Sequence, residues 1–155
     1  MPLDLHAPYA ISLRSAGLRV TRPRLAVMAA LAQAPHAQVE PVVSAVRAEI
    51  GSVSVQTVYD VLRVLGTVGL VRRIDLAGAA SRYELRVGDN HHHVVCRGCS
   101  ATADVDCAVG AAPCLDPGVD PAGLHGFVVD EAEVTYWGYC PSCQIPPRSA
   151  HDRVT

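Results

Sequence analysis

The sequence predicts an α+β fold, with helices in the first half and short β-strands in the second. Apolar residues recur at helical spacing over residues 9–68. Two basic β-prone segments follow, and further short β-prone runs come after them over residues 92–96, 101–105 and 127–139. A short helix could form around residues 121–125. Two C-x-x-C pairs lie within this second half. We expect one domain over residues 1–86, a second over residues 87–145, and a disordered polar tail over residues 146–155.

Four helices are predicted in the first half, over residues 9–16, 22–34, 39–50 and 55–68. Three of them are followed by a glycine that can end a helix, namely Gly17, Gly51 and Gly69. Thr21 and Ser54 precede the second and fourth helices, where a side-chain oxygen can accept a hydrogen bond from the first turn. Pro23 suits the first turn of the second helix, because its missing N–H would have no partner there.

A β-hairpin is predicted after the fourth helix, with strands at residues 70–76 and 81–85. Helices followed by a basic hairpin have the order of a winged helix-turn-helix, in which one helix enters the major groove and the hairpin arginines lie along phosphates. The alternative is a fourth helix that merely lies at the surface. Four arginines favour DNA: Arg72, Arg73, Arg82 and Arg86. The residues that we predict to contact DNA are Ser54, Gln56, Thr57, Tyr59, Arg63, Arg72 and Arg73.

The net charge of −2 hides a difference between the two halves. Residues 1–86 contain ten arginines and six acidic residues, whereas residues 87–155 contain three arginines and nine acidic residues. The chain has no lysine. A basic first half joined to an acidic second half indicates a module that binds a polyanion, followed by a module with another task. The alternative is that charge is simply scattered unevenly.

The chain has no features of a membrane or secreted protein. No run of 18 apolar residues occurs, so no membrane span is predicted. The N-terminal residues lack the basic and apolar regions of a secretory signal. We therefore expect a cytoplasmic protein with no membrane partner, in which the cysteines bind metal rather than form a disulfide framework.

The two cysteine pairs predict a structural zinc site. Each C-x-x-C pair can chelate one ion, and four thiolates at about 2.3 Å around a tetrahedral Zn²⁺ make a closed site. The alternatives are disulfides or a thioredoxin-like redox pair, although the latter lacks the βαβ context that it needs. The predicted zinc ligands are Cys96, Cys99, Cys140 and Cys143.

Three consecutive histidines stand just before the first cysteine pair. If they lie on a strand, His91 and His93 share one face and His92 points to the other. Glu84 and Asp104 on flanking strands, and His36 before helix 3, could complete a site with mixed nitrogen and oxygen ligands. Such ligands suit Fe²⁺, Mn²⁺ or Zn²⁺. The alternative is a solvated turn rich in histidine.

The order of these motifs resembles the ferric uptake regulator family of bacterial metal- and peroxide-responsive repressors. The similarity runs through nearly the whole chain, in Thr21-Arg22-Pro23-Arg24, Thr57-Val58-Tyr59, Arg82-Tyr83-Glu84, His91-His92-His93-Val94-Val95-Cys96-x-x-Cys99 and Tyr139-Cys140-x-x-Cys143. It implies an N-terminal winged helix-turn-helix domain and a small C-terminal α/β dimerisation domain. It also implies a homodimer that binds a palindromic operator in double-stranded DNA.

The resemblance further implies a regulatory site for Fe²⁺ or Mn²⁺ at the hinge between the domains. Its ligands would be His36, Glu84, His91, His93 and Asp104. Metal bound there would hold the two domains in an arrangement that binds DNA. Tyr59 matches the tyrosine of the family's recognition helix, which packs on a thymine methyl. Asp60 stands where relatives often have Arg or Asn, and this difference bears on the operator sequence.

Two ligand positions point to different signals. Asp104 is typical of the peroxide regulators of this family, whereas Glu84 is typical of the iron sensors. The chain is most similar to the FurA branch of actinobacteria, which resembles the peroxide regulators. The resemblance therefore implies a repressor that leaves DNA when peroxide oxidises a histidine at bound Fe²⁺. The alternative is an iron sensor that leaves DNA when Fe²⁺ is lost.

Two cysteines remain outside these sites. Cys107 and Cys114 could form a redox pair, act as reactive thiols or be small buried apolar residues. We favour the last interpretation because acidic surroundings raise the pKa of a thiol. A further metal site of some family members is not expected, because its ligand positions are occupied by Asn90, Ala111 and Ala132.

We do not expect an enzyme. A metalloenzyme needs an open coordination position and a general base in a substrate pocket, and the helix–hairpin half would then have no purpose. A structural zinc adaptor would explain the four paired cysteines, but it would leave the predicted regulatory ligands without a role.

Overall fold

The computed structural model describes residues 6–76, 80–85, 89–110, 114–115, 123–129 and 132–144. The chain divides into two compact units, Met1–Asp89 (unit 1) and Asn90–Thr155 (unit 2). Within the described residues, unit 1 contains helices and a two-stranded hairpin, and unit 2 contains a three-stranded sheet. The α+β fold class predicted from the sequence is confirmed.

The helices of unit 1 are α1 (Ala7–Ser15), α2 (Arg22–Gln33), α3 (Val39–Ile50) and α4 (Val55–Thr67). Helix α2 is central, because the other three helices pack against it. Its residues 26–31 are all buried, and valine and leucine side chains of α3 and α4 complete the core. Removal of this apolar surface from water stabilises the unit. No helix in the described part of the chain is long and apolar enough to cross a membrane.

The start of α4 is capped as predicted, whereas the start of α2 is not. The Ser54 Oγ accepts a hydrogen bond from the Thr57 N–H at 2.9 Å. Thr21 has the extended backbone of an N-cap residue, but its side chain makes no capping hydrogen bond. The predicted side-chain cap at Thr21 is therefore wrong. Pro23 in the first turn leaves one N–H fewer to satisfy at this end of the helix.

The hairpin of unit 1 consists of β1 (Arg72–Ile74) and β2 (Arg82–Glu84), which pair antiparallel. Both strands are shorter than predicted, because only these three residues of each strand are in register. The Tyr83 N–H donates to the Ala37 carbonyl oxygen at 3.0 Å, which ties β2 to the segment before α3. Helices followed by this hairpin form the predicted winged helix-turn-helix. The predicted wing residue Arg86 lies outside the described residues.

The sheet of unit 2 is built around β3 (His91–Cys96). Strand β4 (Thr102–Asp106) pairs with it antiparallel, and β5 (Thr135–Gly138) pairs with its other edge in parallel. Successive side chains of β3 alternate between the two faces of the sheet. His91 and His93 therefore share one face, and His92 points to the opposite face.

The last strand is much shorter than the predicted run over residues 127–139. The Phe127 N–H donates to the Leu124 carbonyl oxygen at 3.0 Å, and Gly126 has a φ of 83°, so the chain turns at this point. Val129 and Val134, which we expected in the strand, lie outside it. The ladder with β3 extends over four residue pairs, and the Val134 carbonyl oxygen accepts one further hydrogen bond from the His93 N–H at 3.3 Å.

Two further predictions concern the end of the chain. The helix predicted near residues 121–125 is wrong for its described part, because residues 123–126 form a turn. The predicted disordered tail over residues 146–155 lies outside the described residues.

The capping difference between α4 and α2 gives the first testable prediction. Ser54→Ala should lower the free energy of unfolding by about 1 kcal/mol, because the Thr57 N–H loses its acceptor. Thr21→Ala is the matched control and should change it by only a few tenths of a kcal/mol, since no capping hydrogen bond is lost. Urea unfolding of both variants without DNA measures the difference. Equal losses would contradict the assignment of Ser54 as the cap.

Candidate metal centres and nucleic-acid interface

The four paired cysteines meet at one end of the unit 2 sheet. Parallel pairing of β3 with β5 places Cys96 opposite Gly138, so the two C-x-x-C turns follow neighbouring strand ends. The four Sγ atoms all lie within 4.8 Å of one another. The Cys99 and Cys140 Sγ atoms are 3.6 Å apart. This is close to the separation of about 3.8 Å expected for two thiolates bound to one tetrahedral Zn²⁺.

Backbone geometry around these thiols also fits a metal centre. The Gly98 N–H and the Cys140 N–H both donate to the Cys96 Sγ at 3.3 Å. A Cβ at Gly98 would lie 3.0 Å from the Cys143 Sγ, so a side chain there would press on the site. Glycine in the first turn therefore lets the backbone approach the sulfurs closely.

The pKa values of the Cys96 and Cys143 thiols are shifted in opposite directions. Hydrogen bonds from the backbone N–H groups of Cys140 and Cys99 lower the pKa of Cys96 to about 6. Neighbouring thiols, Cys140 first and then Cys99, raise the pKa of Cys143 to about 12. One sulfur therefore ionises easily, and its charge then opposes ionisation of the next. Four thiolates at this spacing need a cation among them, and an all-sulfur tetrahedral set suits Zn²⁺.

In unit 1, a buried histidine and a buried glutamate face each other. The His36 Nε2 lies 3.1 Å from the Glu84 Oε2, and the two residues are 7% and 1% exposed. Hydrogen bonds hold the loop in place, since Arg82 Nη1 donates to the His36 carbonyl oxygen at 2.9 Å. His36 has a φ of 60°, which costs on the order of 1 kcal/mol for a residue other than glycine. Strain and buried polar groups together are typical of functional sites.

In unit 2, two buried imidazoles face a carboxylate across the β3–β4 pair. The rings of His91 and His93 meet edge to face, with centroids 4.9 Å apart. Asp104 lies opposite His93 in the ladder. Its Oδ1 is 3.7 Å from the His93 Nε2 and 3.9 Å from the His91 Nε2. These separations are too long for hydrogen bonds, but they are near the distance of about 3.4 Å between two ligands of one tetrahedral cation.

Each unit thus carries a cluster with the donor atoms of a transition-metal site. We call the pair His36 and Glu84 the unit 1 half-site, and the group His91, His93 and Asp104 the unit 2 half-site. Imidazole nitrogens and carboxylate oxygens suit Fe²⁺, Mn²⁺ and Zn²⁺. All five predicted regulatory ligands therefore lie in clusters within their own unit.

Helix α4 presents a polar face to solvent. Gln56, Tyr59, Asp60 and Arg63 are exposed, whereas Val58 and Leu62 are buried in the core. The Asp60 Oδ1 accepts a hydrogen bond from Gln56 Nε2 at 3.2 Å and lies 3.7 Å from Arg63 Nη2. Asp60 therefore holds two predicted DNA-contact side chains in place and reduces the positive charge of this face. The sequence did not reveal this role, because it depends on which rotamers these side chains adopt.

The two predicted wing arginines have different surroundings. Arg73 Nε donates to the Asp75 Oδ1 at 2.9 Å, and the Ser81 hydroxyl donates to the same oxygen at 2.6 Å. The hydrogen bond from Ser81, and then the one from Arg73, lower the pKa of Asp75. Arg73 is exposed and orientated by this contact, whereas Arg72 is half-buried. A cleft of about 560 Å³ separates the hairpin from α4 and is lined by Tyr59, Arg63 and Arg73, among others.

The structure corrects our interpretation of the two remaining cysteines. Cys107 and Cys114 are half-exposed, so the prediction of buried apolar residues is wrong. Backbone N–H groups, first that of Gly110, lower the pKa of Cys107, whereas burial raises the pKa of Cys114. His92 lies beside both thiols. No spacing rule indicated this contact, because His92 and Cys114 are 22 residues apart in the sequence.

A winged helix followed by a unit with a tetrathiolate centre defines a metal-binding, DNA-binding regulator. The model of the ferric uptake regulator family matches residues 15–109, and the chain belongs to this family. Proteins of this family are transcription regulators that bind DNA as dimers, and they are not enzymes.

Several known proteins are similar over most of the chain. "Transcriptional regulator FurA" of Mycobacterium tuberculosis is 56% identical over 141 residues, which are 91% of this chain and 93% of that protein. "Ferric uptake regulation protein 1" of Mycolicibacterium fortuitum is 61% identical over 125 residues, covering 81% of this chain and 75% of that protein. The peroxide-responsive repressor PerR of Staphylococcus epidermidis is more distant, at 29% identity over 136 residues, which are 86% of each chain.

Among solved structures, the ferric uptake regulator of Pseudomonas aeruginosa with manganese has a TM-score of 0.60 and 26% sequence identity. The match covers 84% of this chain and 96% of that one. This similarity supports the fold assignment and the presence of metal-binding side chains.

The tetrathiolate geometry gives a direct prediction about zinc. Cys99→Ser should remove the chelator-resistant zinc and unfold unit 2, because such zinc contributes on the order of 10 kcal/mol to folding. Cys107→Ser is the control and should keep that zinc, since Cys107 lies outside the tetrathiolate cluster. Elemental analysis after dialysis against EDTA and gel filtration measure both effects. A folded Cys99→Ser dimer with its full zinc content would contradict the site.

Proposed function

We propose that this protein is a metal-dependent dimeric repressor that binds a palindromic operator and responds to peroxide. Metal would be bound jointly by the unit 1 half-site and the unit 2 half-site, at the hinge between a DNA-binding domain and a dimerisation domain. We further propose that it acts in the cytoplasm, where its operator is found. The observation that carries this proposal is that unit 1 contains a buried imidazole beside a buried carboxylate, and unit 2 contains two buried imidazoles beside an exposed carboxylate. Each group would make only part of a coordination shell.

The low exposure of Glu84 and His93 supports this proposal. Glu84 and His93 are each 1% exposed, and a charged or polar group with so little access to water is costly unless it is paired. Two ligands from unit 1 and three from unit 2 would give a shell of five nitrogen and oxygen donors. A cation that needs ligands from both domains favours the arrangement in which both supply them.

Peroxide sensing requires a ligand that can be oxidised. Fe²⁺ held by these residues would activate peroxide for attack on a ligand. The histidine would supply the two electrons, so that one peroxide oxygen is inserted at a ring C–H and the other leaves as water. An oxidised imidazole is a poorer ligand, and the two half-sites would then separate. Asp104 supports this function, since it is the carboxylate typical of peroxide regulators.

DNA binding would use the exposed face of α4 and the β1–β2 hairpin. Ser54 and Thr57 at the N-terminus of α4 can contact phosphate, since free N–H groups and the helix dipole favour anions there. Tyr59 is 42% exposed on the same face, where its ring could contact a thymine methyl. Arg72 and Arg73 would lie along the phosphate backbone.

Dimerisation would use the apolar surface of unit 2. Tyr136, Trp137 and Tyr139 on and after β5 are exposed, and Phe127 and Val128 are 75% and 92% exposed. Large apolar side chains that are exposed in one protomer are candidates for burial against a partner. A second copy of the chain is the partner that a palindromic operator requires.

Iron sensing is the second candidate. It is favoured by Glu84, which is typical of iron sensors, and by 61% identity to a "Ferric uptake regulation protein". In this case loss of Fe²⁺ alone, without oxidation, would release the DNA.

The proposed DNA surface predicts two distinguishable mutant effects. Replacing Arg72 and Arg73 together by Ala should weaken binding to all sequences and reduce the salt slope by about one for each lost phosphate contact. Tyr59→Ala should instead reduce the preference for the operator over unrelated DNA, with the salt slope kept. Fluorescence anisotropy at several salt concentrations measures both quantities. Unchanged operator affinity in both variants would place the DNA surface elsewhere.

The proposed sensing site predicts a metal-specific response. His91→Ala should abolish metal-dependent operator binding and leave the tetrathiolate zinc in place. In the wild-type protein, peroxide should add one oxygen to a peptide containing His36 or His91 when Fe²⁺ is bound, but not when Mn²⁺ is bound. Mass spectrometry and operator binding report the two effects. If the Fe²⁺ form keeps its histidines and still binds DNA after peroxide treatment, the iron-sensing alternative applies.

A further inference from the structure

A third cluster of metal-ligand atoms lies in unit 2, on the side of β3 opposite to the unit 2 half-site. The Cys114 Sγ lies 3.2 Å from the His92 Nε2. The donor atoms of His92, Cys107 and Cys114 all lie within 4.8 Å of one another. These residues are separate from the tetrathiolate centre and from both half-sites.

We propose that His92, Cys107 and Cys114 form a second, thiolate-containing zinc site. A tetrahedral Zn²⁺ with one imidazole and two thiolates places nitrogen and sulfur about 3.6 Å apart. The Cys114 Sγ and the His92 Nε2, 3.2 Å apart, would need to separate by only a few tenths of an ångström to bind the ion together. Three protein ligands leave a fourth position for water or another group, as in zinc sites that are open to exchange. Because the site contains sulfur and only one nitrogen, it favours zinc over the iron or manganese expected at the half-sites.

The surroundings of the cluster support a cation more than a disulfide. His92 is 5% exposed, and its Nε2 faces Cys114, so a disulfide would remove the thiol that this buried nitrogen contacts. The Asn90 side-chain amide lies beside both thiols, and its Nδ2 is buried. A thiolate bound to metal could accept that N–H, and such secondary contacts orientate metal ligands.

The backbone already places two of the three ligands. The Cys107 N–H donates to the Asn90 carbonyl oxygen at 3.2 Å, which joins the end of β4 to the start of β3. Gly110 lies between the two cysteines in the sequence, and its φ of 85° suits glycine. Zinc at this cluster would fasten the segment after β4 to the middle of β3. It would therefore restrain the strand that also carries His91 and His93.

Cobalt spectroscopy on the full-length protein tests the site without DNA. The protein is reduced, stripped of weakly held metal, and titrated anaerobically with Co²⁺ while the chelator-resistant zinc stays in the tetrathiolate centre. Wild-type protein should develop an intense thiolate-to-cobalt charge-transfer band that saturates at one Co²⁺ per chain and is bleached by Zn²⁺. Co²⁺ at the half-sites contributes no such band, because those ligands contain no sulfur.

Substitution of the proposed ligands tests whether this charge-transfer band comes from the proposed site. Replacing Cys107 and Cys114 together by Ser should abolish it, and Cys114→Ser alone should weaken Co²⁺ binding if the double variant folds poorly. Val109→Ser, an exposed change between the two cysteines, should leave it intact. Absence of the band in reduced wild-type protein would overturn the proposal, and a mass lower by two hydrogens before reduction would then assign a disulfide. A band that persists in the double variant would also overturn it, because cobalt would then be replacing the tetrathiolate zinc.

Discussion

The parallel pairing of β3 with β5, closed by the tetrathiolate centre, is the constraint on which the rest of unit 2 depends. A ladder of four residue pairs is short, and the parallel strands are joined by a long connection rather than a tight turn. Four sulfurs at the strand ends restrict how the two strands can slide. A shift of one residue would move every β3 side chain to the other face. The zinc centre therefore fixes which face of β3 carries His91 and His93.

The same strand serves three groups of ligands. Its alternation sends His91 and His93 to one face and His92 to the other, and its last residue is Cys96. Nitrogen and oxygen donors surround the first pair, whereas sulfur donors surround His92. Different ligand chemistry on the two faces allows each face to select a different cation. Neighbouring residues of this strand can therefore belong to sites that bind different metals.

Sequence patterns predicted the elements whose structure is determined locally. The valine spacing of α3 and its terminal glycine predicted the observed bounds of that helix. The Ser54 cap and the two C-x-x-C pairs could likewise be recognised from the sequence. The patterns failed where the local structure depends on contacts with other segments of the chain. Strand β5 is limited to the four residues that pair with His93–Cys96 of β3, and Thr21 makes no cap although its residue type suits one. The contact of His92 with Cys107 and Cys114 joins β3 to residues that follow β4, and no periodicity of the sequence describes it.

Both half-sites are proposed to bind a single regulatory cation, and a double-mutant cycle for Mn²⁺ affinity tests this most directly. The four proteins are the wild type, His36→Ala, His93→Ala and the double variant, all with the tetrathiolate zinc retained. If the two imidazoles share one ion, each single change should remove most of the affinity and the second change should add little, giving strong coupling. If the free-energy losses simply add, or if His36→Ala leaves the affinity unchanged, the two half-sites do not bind a common metal.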